Sequence, residues 1–403
     1  MNKPRLWVVS ELYYPEETST GYFVTHIAQG LADRFEVKAL CSRPTYSERD
    51  MNVPARETHA GVEIRRAWST RFDKDGLVGR LLNLLTLTFS ISIRALFSFG
   101  KGDRVLVLTN PPTLPPIVGF IARLKGARPF LLVHDVYPEV LVATGFIKSG
   151  GVVDRLLGTF IGSTYRLYEK IVVLGRDMAK VAERRVGNEH DRVMVIPNWG
   201  DVDEIRPIEA DQNPFSAKHN PEQRAIIQFS GNIGRTHDVE AILEAARSLG
   251  DRDDIAVQFV GFGGKASLVS AAEKPGIPLL QLPRQPRDML PGMLSGADAV
   301  VIAFVDNMLG VSVPSRMYNV MAAGTPIIAM AHPESELALV VKEEECGWVL
   351  PPGDADGLAR IMEHIVSAEG RAEAAQRGLR GRKAVIRSYS LPAILADFRH
   401  LLD

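Results

Sequence analysis

The residues best suited to chemistry lie just after short apolar runs, where a strand would give way to a helix. At 230–238 the chain reads SGNIGRTHD. Gly231 and Gly234 let main-chain N–H groups approach a ligand closely, and a helix start beyond them offers donors and a positive dipole end, which suits phosphate. Asn232, Arg235 and His237 add side-chain donors to the same loop. Taken alone, this loop reads equally well as a plain strand-to-helix connection. A second glycine cluster, VGFGGK at 260–265, matches neither the GxxxxGK[ST] phosphate loop nor the GxGxxG dinucleotide fingerprint. Its Gly261, Gly263 and Gly264 indicate close packing or close backbone approach.

The third junction is the strongest. VSVPSRMYNVMAAGTPIIA places a loop at 311–315, with Val313 inside it, directly before a helix. Pro314 suits a first turn, and Ser312 and Ser315 are capping residue types. Arg316 can reach back to an anion at the helix end, and Asn319, one turn on, shares its face. A charged helix start beside a glycine loop is the pattern of a diphosphate site gripped from two sides.

Nearer the N-terminus, LLVHDVYPEV ends a strand with His134 and Asp135, followed by Glu139. Polar titratable groups at a strand's carboxyl end point into the ligand crevice of an open α/β sheet. A lone histidine there would read as a satisfied core residue; the His-Asp pair reads as a catalytic candidate. The polar loop SELYYPEETSTGY leads to a helix start at Gly21, so Ser19, Thr20 and Gly21 are candidate backbone donors. The segment at 110–116, NPPTLPP, reads as a stiff bend.

These positions need strands and helices in alternation, and the patterning supplies them. Strands are expected at 6–10, 37–40, 104–108, 130–134, 171–174 and 193–196, then at 225–230, 256–261, 279–282, 299–304 and 325–329. Helical periodicity falls at 22–34, 152–168, 177–185, 239–249, 265–273, 315–323 and 356–367. Apolar strands separated by such helices mean parallel sheets covered on both faces, the α/β class. The rhythm breaks over 198–224, where Pro207, Pro214 and Pro221 punctuate a polar stretch that reads as a linker. The expectation is therefore an N-terminal domain at 1–197 and a C-terminal one at 225–390, two doubly wound sheets facing each other across a cleft. A helix within 391–403 is expected to pack back on the first domain.

Composition narrows the function class. The 403 residues are 46% hydrophobic and 24% charged, enough to fill two cores. Forty-seven basic residues against 48 acidic ones leave a net charge of −1, which disfavours a non-specific nucleic-acid binder. The two cysteines, Cys41 and Cys346, match no metal or redox spacing and suggest a reducing compartment. The first residues hold too short an apolar run for a signal peptide, so a cytoplasmic protein is expected.

One segment complicates that. Between Arg80 and Arg94 lie thirteen uncharged residues, LLNLLTLTFSISI. A spanning helix needs about 20 apolar residues, so this run is not expected to cross a bilayer. Leu81, Leu85, Phe89, Ile93 and Phe97 recur every fourth residue, while Leu82, Leu84, Leu87 and Ile91 make the other face apolar. Two readings stay open. One is a buried core helix. The other is peripheral contact of residues 77–99 with an anionic membrane, aided by Arg65, Arg66, Arg71, Lys74 and Arg80.

Eight segments in order, ELYYPEETSTGY, TNPP, HDVYPE, VIPNWGDVDEIRP, SGNIGR, VGFGG, SGADAVVIAF and VPSRMYNVMAAGTPII, make the chain resemble retaining glycosyltransferases of family 4. It looks closest to bacterial members that build cell-surface polysaccharides. The resemblance implies the GT-B fold of two Rossmann-like domains and sugar transfer from a nucleoside diphosphate donor without a metal or other cofactor. It places the donor on the second domain, at Gly231, Asn232, Arg235, His237, Gly261, Gly263, Leu282, Arg284, Ser312, Val313, Ser315, Arg316 and Asn319. It places the acceptor, a saccharide or lipid-linked saccharide, near Ser19, Thr20, Gly21, His134, Asp135 and Glu139.

The chain departs from the family pattern at three points. Two glutamates eight residues apart become Val311 and Asn319, and a basic pair in the SGN loop becomes Asn232 and His237. Positive charge must then come from Arg235, Arg316 or a protonated His237. The paired glycines of the first loop reduce to Gly21. Two further readings share the fold: an epimerase or hydrolase of nucleotide sugars, and a non-catalytic nucleotide-sugar-binding subunit.

Overall fold

A computed structural model describes residues 3–45, 51–72, 77–187 and 189–403. It divides into two compact units. The first comprises Met1–Pro197, Gly310–Ser312 and Leu395–Asp403; the second comprises Asn198–Leu309 and Val313–Ile394. Residues 198–224, expected as a linker, thus count with the second unit, and 310–312 with the first.

The first unit opens with β1 (Arg5–Val9), α1 (Ser19–Gly30) and β2 (Glu36–Ser42), then a hairpin of β3 (Arg56–His59) and β4 (Val62–Ala67). The long helix α2 (Leu77–Ser98) leads to β5 (Arg104–Leu108), α3 (Leu114–Leu124) and β6 (Arg128–Val133). After α4 (Glu139–Ala143) and α5 (Val152–Tyr165) come β7 (Lys170–Val173), α6 (Arg176–Val186) and β8 (Val193–Val195). The strands form one sheet in the order β3-β4-β2-β1-β5-β6-β7-β8, parallel except for the β3–β4 pair. The strand interiors are almost wholly apolar and buried, as sheets covered on both faces require.

The second unit holds α7 (Pro214–His219), β9 (Ala225–Asn232), α8 (Val239–Ser248), β10 (Ile255–Phe262), α9 (Ala266–Ala272) and β11 (Leu279–Leu282). It continues through α10 (Leu290–Ser295), β12 (Ala299–Ala303), α11 (Arg316–Ala322), β13 (Ile327–Met330) and α12 (Glu336–Glu343). β14 (Gly347–Leu350), α13 (Ala355–Val366) and α14 (Ala368–Ser388) complete it. Its six strands run parallel in the order β11-β10-β9-β12-β13-β14. From β9 the chain winds outward through β10 and β11, then returns to β12 on the other side. The strand order therefore reverses between β9 and β12, the point where open sheets bind ligands. The last helix, α15 (Leu391–Leu402), packs its Leu395 against Gly30, and Arg399 bonds Asp33 at 3.0 Å.

Both sheets confirm the α/β class, and the differences are instructive. The hairpin β3–β4 and strand β14 are additions to the expected set. The segment expected as a stiff bend instead starts α3, because Pro115 and Pro116 sit in the first turn, where a missing N–H costs nothing. Helix α2 is longer than its thirteen-residue uncharged core, reaching 22 residues, and by length and apolarity alone it could cross a membrane. Leu87, Thr88, Ile91 and Ala95 are buried against the body of the unit, however, so it lies along the protein surface.

Candidate functional site

In the second unit, the loops after β9 and β10 meet. The two strands pair in register through Gly231 with Gly261 and Asn232 with Phe262. Gly231 has φ +122° and Gly261 φ +148°. A Cβ at Gly261 would lie 1.9 Å from the Gly231 carbonyl oxygen, so only glycine lets these main chains approach. Gly263 and Leu282 end the neighbouring loop and strand, and Arg284 sits with its guanidinium 5.9 Å from the Phe262 ring centre.

Arg316, the first residue of α11, enters this region from β12's side of the reversal. Its Nη1 donates to the Ser230 carbonyl at 2.5 Å, and its Nη2 donates to His237 Nε2. The guanidinium lies 5.0 Å from the Phe229 ring centre. Burial pulls its pKa down to about 10, and no carboxylate offsets that cost. It remains a cation at neutral pH.

His237 is buried, edge-on to Phe229 and stacked on Phe304. Because Nε2 accepts from Arg316, Nδ1 carries the proton and faces Thr236 Oγ1 at 3.3 Å. Burial first, then the charges of Arg316 and Lys265, push its pKa to about 2. A protonated His237 is therefore not the source of positive charge; it is a neutral acceptor that orients Arg316. Arg235 is exposed on the same loop.

Several expected contacts resolve differently. The start of α8 is occupied by Asp238, whose side chain accepts Ala241 N–H at 3.1 Å and Gly353 N–H at 2.9 Å. An anion already stands where a phosphate was expected. Neither Ser312 nor Ser315 caps α11: Ser315 occupies the N-cap position without a side-chain cap bond, and Ser312 groups with the first unit. Val313 is buried in the second unit. Asn319 Oδ1 accepts Asp201 N–H at 3.3 Å, so its carbonyl end is engaged within the protein. Sequence reasoning passed over Lys265, which donates to the His237 carbonyl at 2.9 Å and pairs with Glu240 at 2.7 Å. Its position closing the glycine cluster was the available signal.

In the first unit, His134 and Asp135 follow β6 directly. His134 is buried; its N–H donates to Thr109 Oγ1 at 3.2 Å, and its Nδ1 lies 3.5 Å from Thr20 Oγ1. Its Nε2 is buried with no partner among the described residues. Burial lowers the imidazole pKa to about 4, and burial raises the Asp135 carboxyl to about 6. Thus β6 presents a neutral imidazole with an unspent ring nitrogen beside a carboxylate that titrates near neutrality.

The remaining acceptor-side residues are more committed. Helix α1 begins at Ser19, earlier than Gly21, because Thr18 caps it by accepting Gly21 N–H at 3.3 Å. The Gly21 amide is thus spent on the cap, and a Cβ at Gly21 would meet the Glu16 carbonyl at 2.6 Å. Glu139 is held by Arg185 at 2.5 Å, and Arg185 also bonds the Tyr137 carbonyl. No sequence signal pointed to Arg185.

Residues 20–199 match the family described as "Glycosyl transferase 4-like domain", and residues 211–383 match "Glycosyl transferases group 1". The chain is 30% identical to the "Probable glycosyltransferase WbjE" of Pseudomonas aeruginosa, over 90% of this chain and 89% of that protein. It is 26% identical to the "Putative colanic acid biosynthesis glycosyl transferase WcaI" of Escherichia coli K12, over 81% and 83% respectively. Among solved structures it resembles HepE of Anabaena in complex with UDP and glucose, with TM-score 0.69 and 12% identity over 99% of each chain.

Proposed function

The chain belongs to the glycosyltransferases that pair a 4-like domain with a group 1 domain, and from that premise we propose that it moves a sugar from a nucleoside diphosphate to an acceptor hydroxyl with retention at the anomeric carbon. The observation that carries this reading is Arg316, a half-buried, desolvated cation with no acid beside it among the described residues, set at the strand-order reversal under two glycine loops. A diphosphate supplies the charge that such a site lacks.

In the proposed reaction the bond from the anomeric carbon to the donor phosphate oxygen breaks. The acceptor oxygen bonds that carbon from the same face and gives up its proton, while negative charge builds on the leaving diphosphate. Arg316, Arg235 and main-chain N–H groups of the 231–235 loop other than that of Ile233, which bonds the Phe262 carbonyl, stabilise that charge in place, the role of preorganised donors. His134 and Asp135 serve the acceptor. The unpartnered Nε2 of His134 can hydrogen-bond a hydroxyl, and Asp135, ionised above about pH 6, can take a proton. With cationic side chains on the phosphates, no metal is required, and transfer should survive chelation by EDTA.

The proposed acceptor is a lipid-linked saccharide, handled at the cytoplasmic face of the cell membrane during exopolysaccharide, capsule or O-antigen assembly. The colanic acid pathway in the name of the WcaI relative supports that direction. A thermal-shift screen of nucleoside diphosphate sugars tests the donor: a true donor at 100 times its Kd adds about 2.7 kcal/mol by mass action. No stabilisation by any of them would end the proposal. The alternative, an epimerase or hydrolase, would consume donor without acceptor, and product analysis separates the two.

A further inference from the structure

Among the described residues, most of the exposed large apolar side chains lie on the first unit. Helix α2 packs on β2 and β4 and against α3, and α3 packs against α5, so the three lie side by side. Each presents an apolar stripe to the outside at helical spacing. On α2 the stripe includes Leu85, Phe89 (68% exposed) and Phe97 (83%). On α3 it is Phe120 (59%) and Leu124, and on α5 Leu156 (67%) and Phe160. Stripes on helices that adjoin in this way point to one shared face, whereas scattered apolar side chains are the norm on monomers.

The charges at its margin are nearly all of one sign. The three helices carry Arg80, Arg94 and Arg155, all exposed, and Arg123, exposed but bonded to the Leu167 carbonyl at 2.6 Å and 4.0 Å from Glu169, while Lys125 and Lys148 flank α3 and α5. Asp154, the acid among them, turns its carboxylate to Gly150 N–H at 2.8 Å. Of the basic residues expected to help α2, Arg66 is buried and bonds main-chain carbonyls of Pro54 and Tyr14, and Arg65 pairs with Glu63 at 2.8 Å. Neither faces outward to headgroups. Lys74 lies outside the described residues. Arginine and lysine around an apolar face are complementary to an anionic bilayer, whose phosphates meet the cations while the hydrocarbon receives the stripes.

We propose that α2, α3 and α5 together form a monotopic docking platform that seats the first unit in one leaflet of an anionic membrane. Helix α2 lies flat in this arrangement, since its opposite face is fixed to the sheet. The inference deepens the reading of a lipid-linked acceptor, because a platform on the 4-like domain would hold that domain where such acceptors reside. Its test uses no acceptor and no donor turnover, so its failure would leave the donor reading standing.

Flotation of the full chain with phosphatidylglycerol/phosphatidylcholine vesicles provides the test. The wild type should float with these vesicles and bind phosphatidylcholine alone more weakly. Phe120→Asp and Leu156→Asp, both off α2, should each lower the bound fraction about tenfold at fixed lipid, since each removes a buried apolar side chain from the lipid phase. A melting temperature and circular dichroism spectrum unchanged from wild type would show that these variants remain folded. The proposal fails if the wild type ignores anionic vesicles. It fails equally if folded Phe120→Asp and Leu156→Asp variants float like wild type, which would leave α2 acting alone. Self-association that these variants abolish, without vesicle binding, would assign the face to a second copy of the chain and also overturn it.

Discussion

Replacing Arg316 separates anion binding from folding. Desolvation alone pulls the guanidinium pKa down to about 10, so the ligand-free protein holds a cation disfavoured by about 3 kcal/mol relative to one in water. A diphosphate beside it would recover up to that amount, about a hundredfold in affinity. Arg316→Met keeps the length of the side chain and removes the charge. The ligand-free variant should melt no lower than wild type by more than a few degrees, because relief of a desolvated charge offsets the lost hydrogen bonds to Ser230 and His237. Its stabilisation by UDP, read as a thermal shift against concentration, should require about a hundredfold more nucleotide, and turnover should fall on the order of 10²-fold. A folded Arg316→Met variant with wild-type UDP response and turnover would refute the assignment of Arg316 to the phosphate site.

Three other outcomes follow from the same geometry. Gly261→Ala would press a Cβ into the Gly231 carbonyl at 1.9 Å with φ +148°, so the variant should melt well below wild type or express insoluble; a normal melting temperature would show that the loops can part. His134 stays neutral in the folded chain down to about pH 4 but charges in the unfolded chain below about 6.5, so the unfolded state binds the extra proton between those values. The contribution of this group to stability should therefore drop as pH falls from 6.5 to 4, by up to about 3 kcal/mol, and His134→Gln should remove that contribution in denaturant titrations, leaving the opposite slope of Asp135. Asp135 works in the opposite sense for stability over 3.8 to about 6, while for turnover it predicts an acid limb near pH 6 in kcat/KM, and a flat profile down to pH 5 would remove it as a base.

The reason the strands could be read and the contacts could not is physical. Runs such as Ala299–Ala303, the whole of β12, must be apolar on both faces, and that demand is written in residue types one after another. The β3–β4 hairpin escaped because RETH is a short, charged edge strand, and its turn depends on positive φ at Ala60 and Gly61. Helix α3 escaped because its two prolines look like a breaker until their place in the first turn is known.

The site divides along the same line. Glycines at 231 and 261 announce themselves, since a backbone conformation closed to other residues selects for them. The join of Arg316 to Ser230 and His237 spans separate stretches of sequence and arises only because β12 lies beside β9. That join also moves the basis of anion binding. Sequence patterning pointed to helix starts, yet Asp238 fills the start of α8 and α11 has no side-chain cap. With one helix end already neutralised by a carboxylate, the proposed attraction for a diphosphate falls on the guanidiniums of Arg316 and Arg235, and Arg316 is held by a neutral His237 that does not compete for the charge.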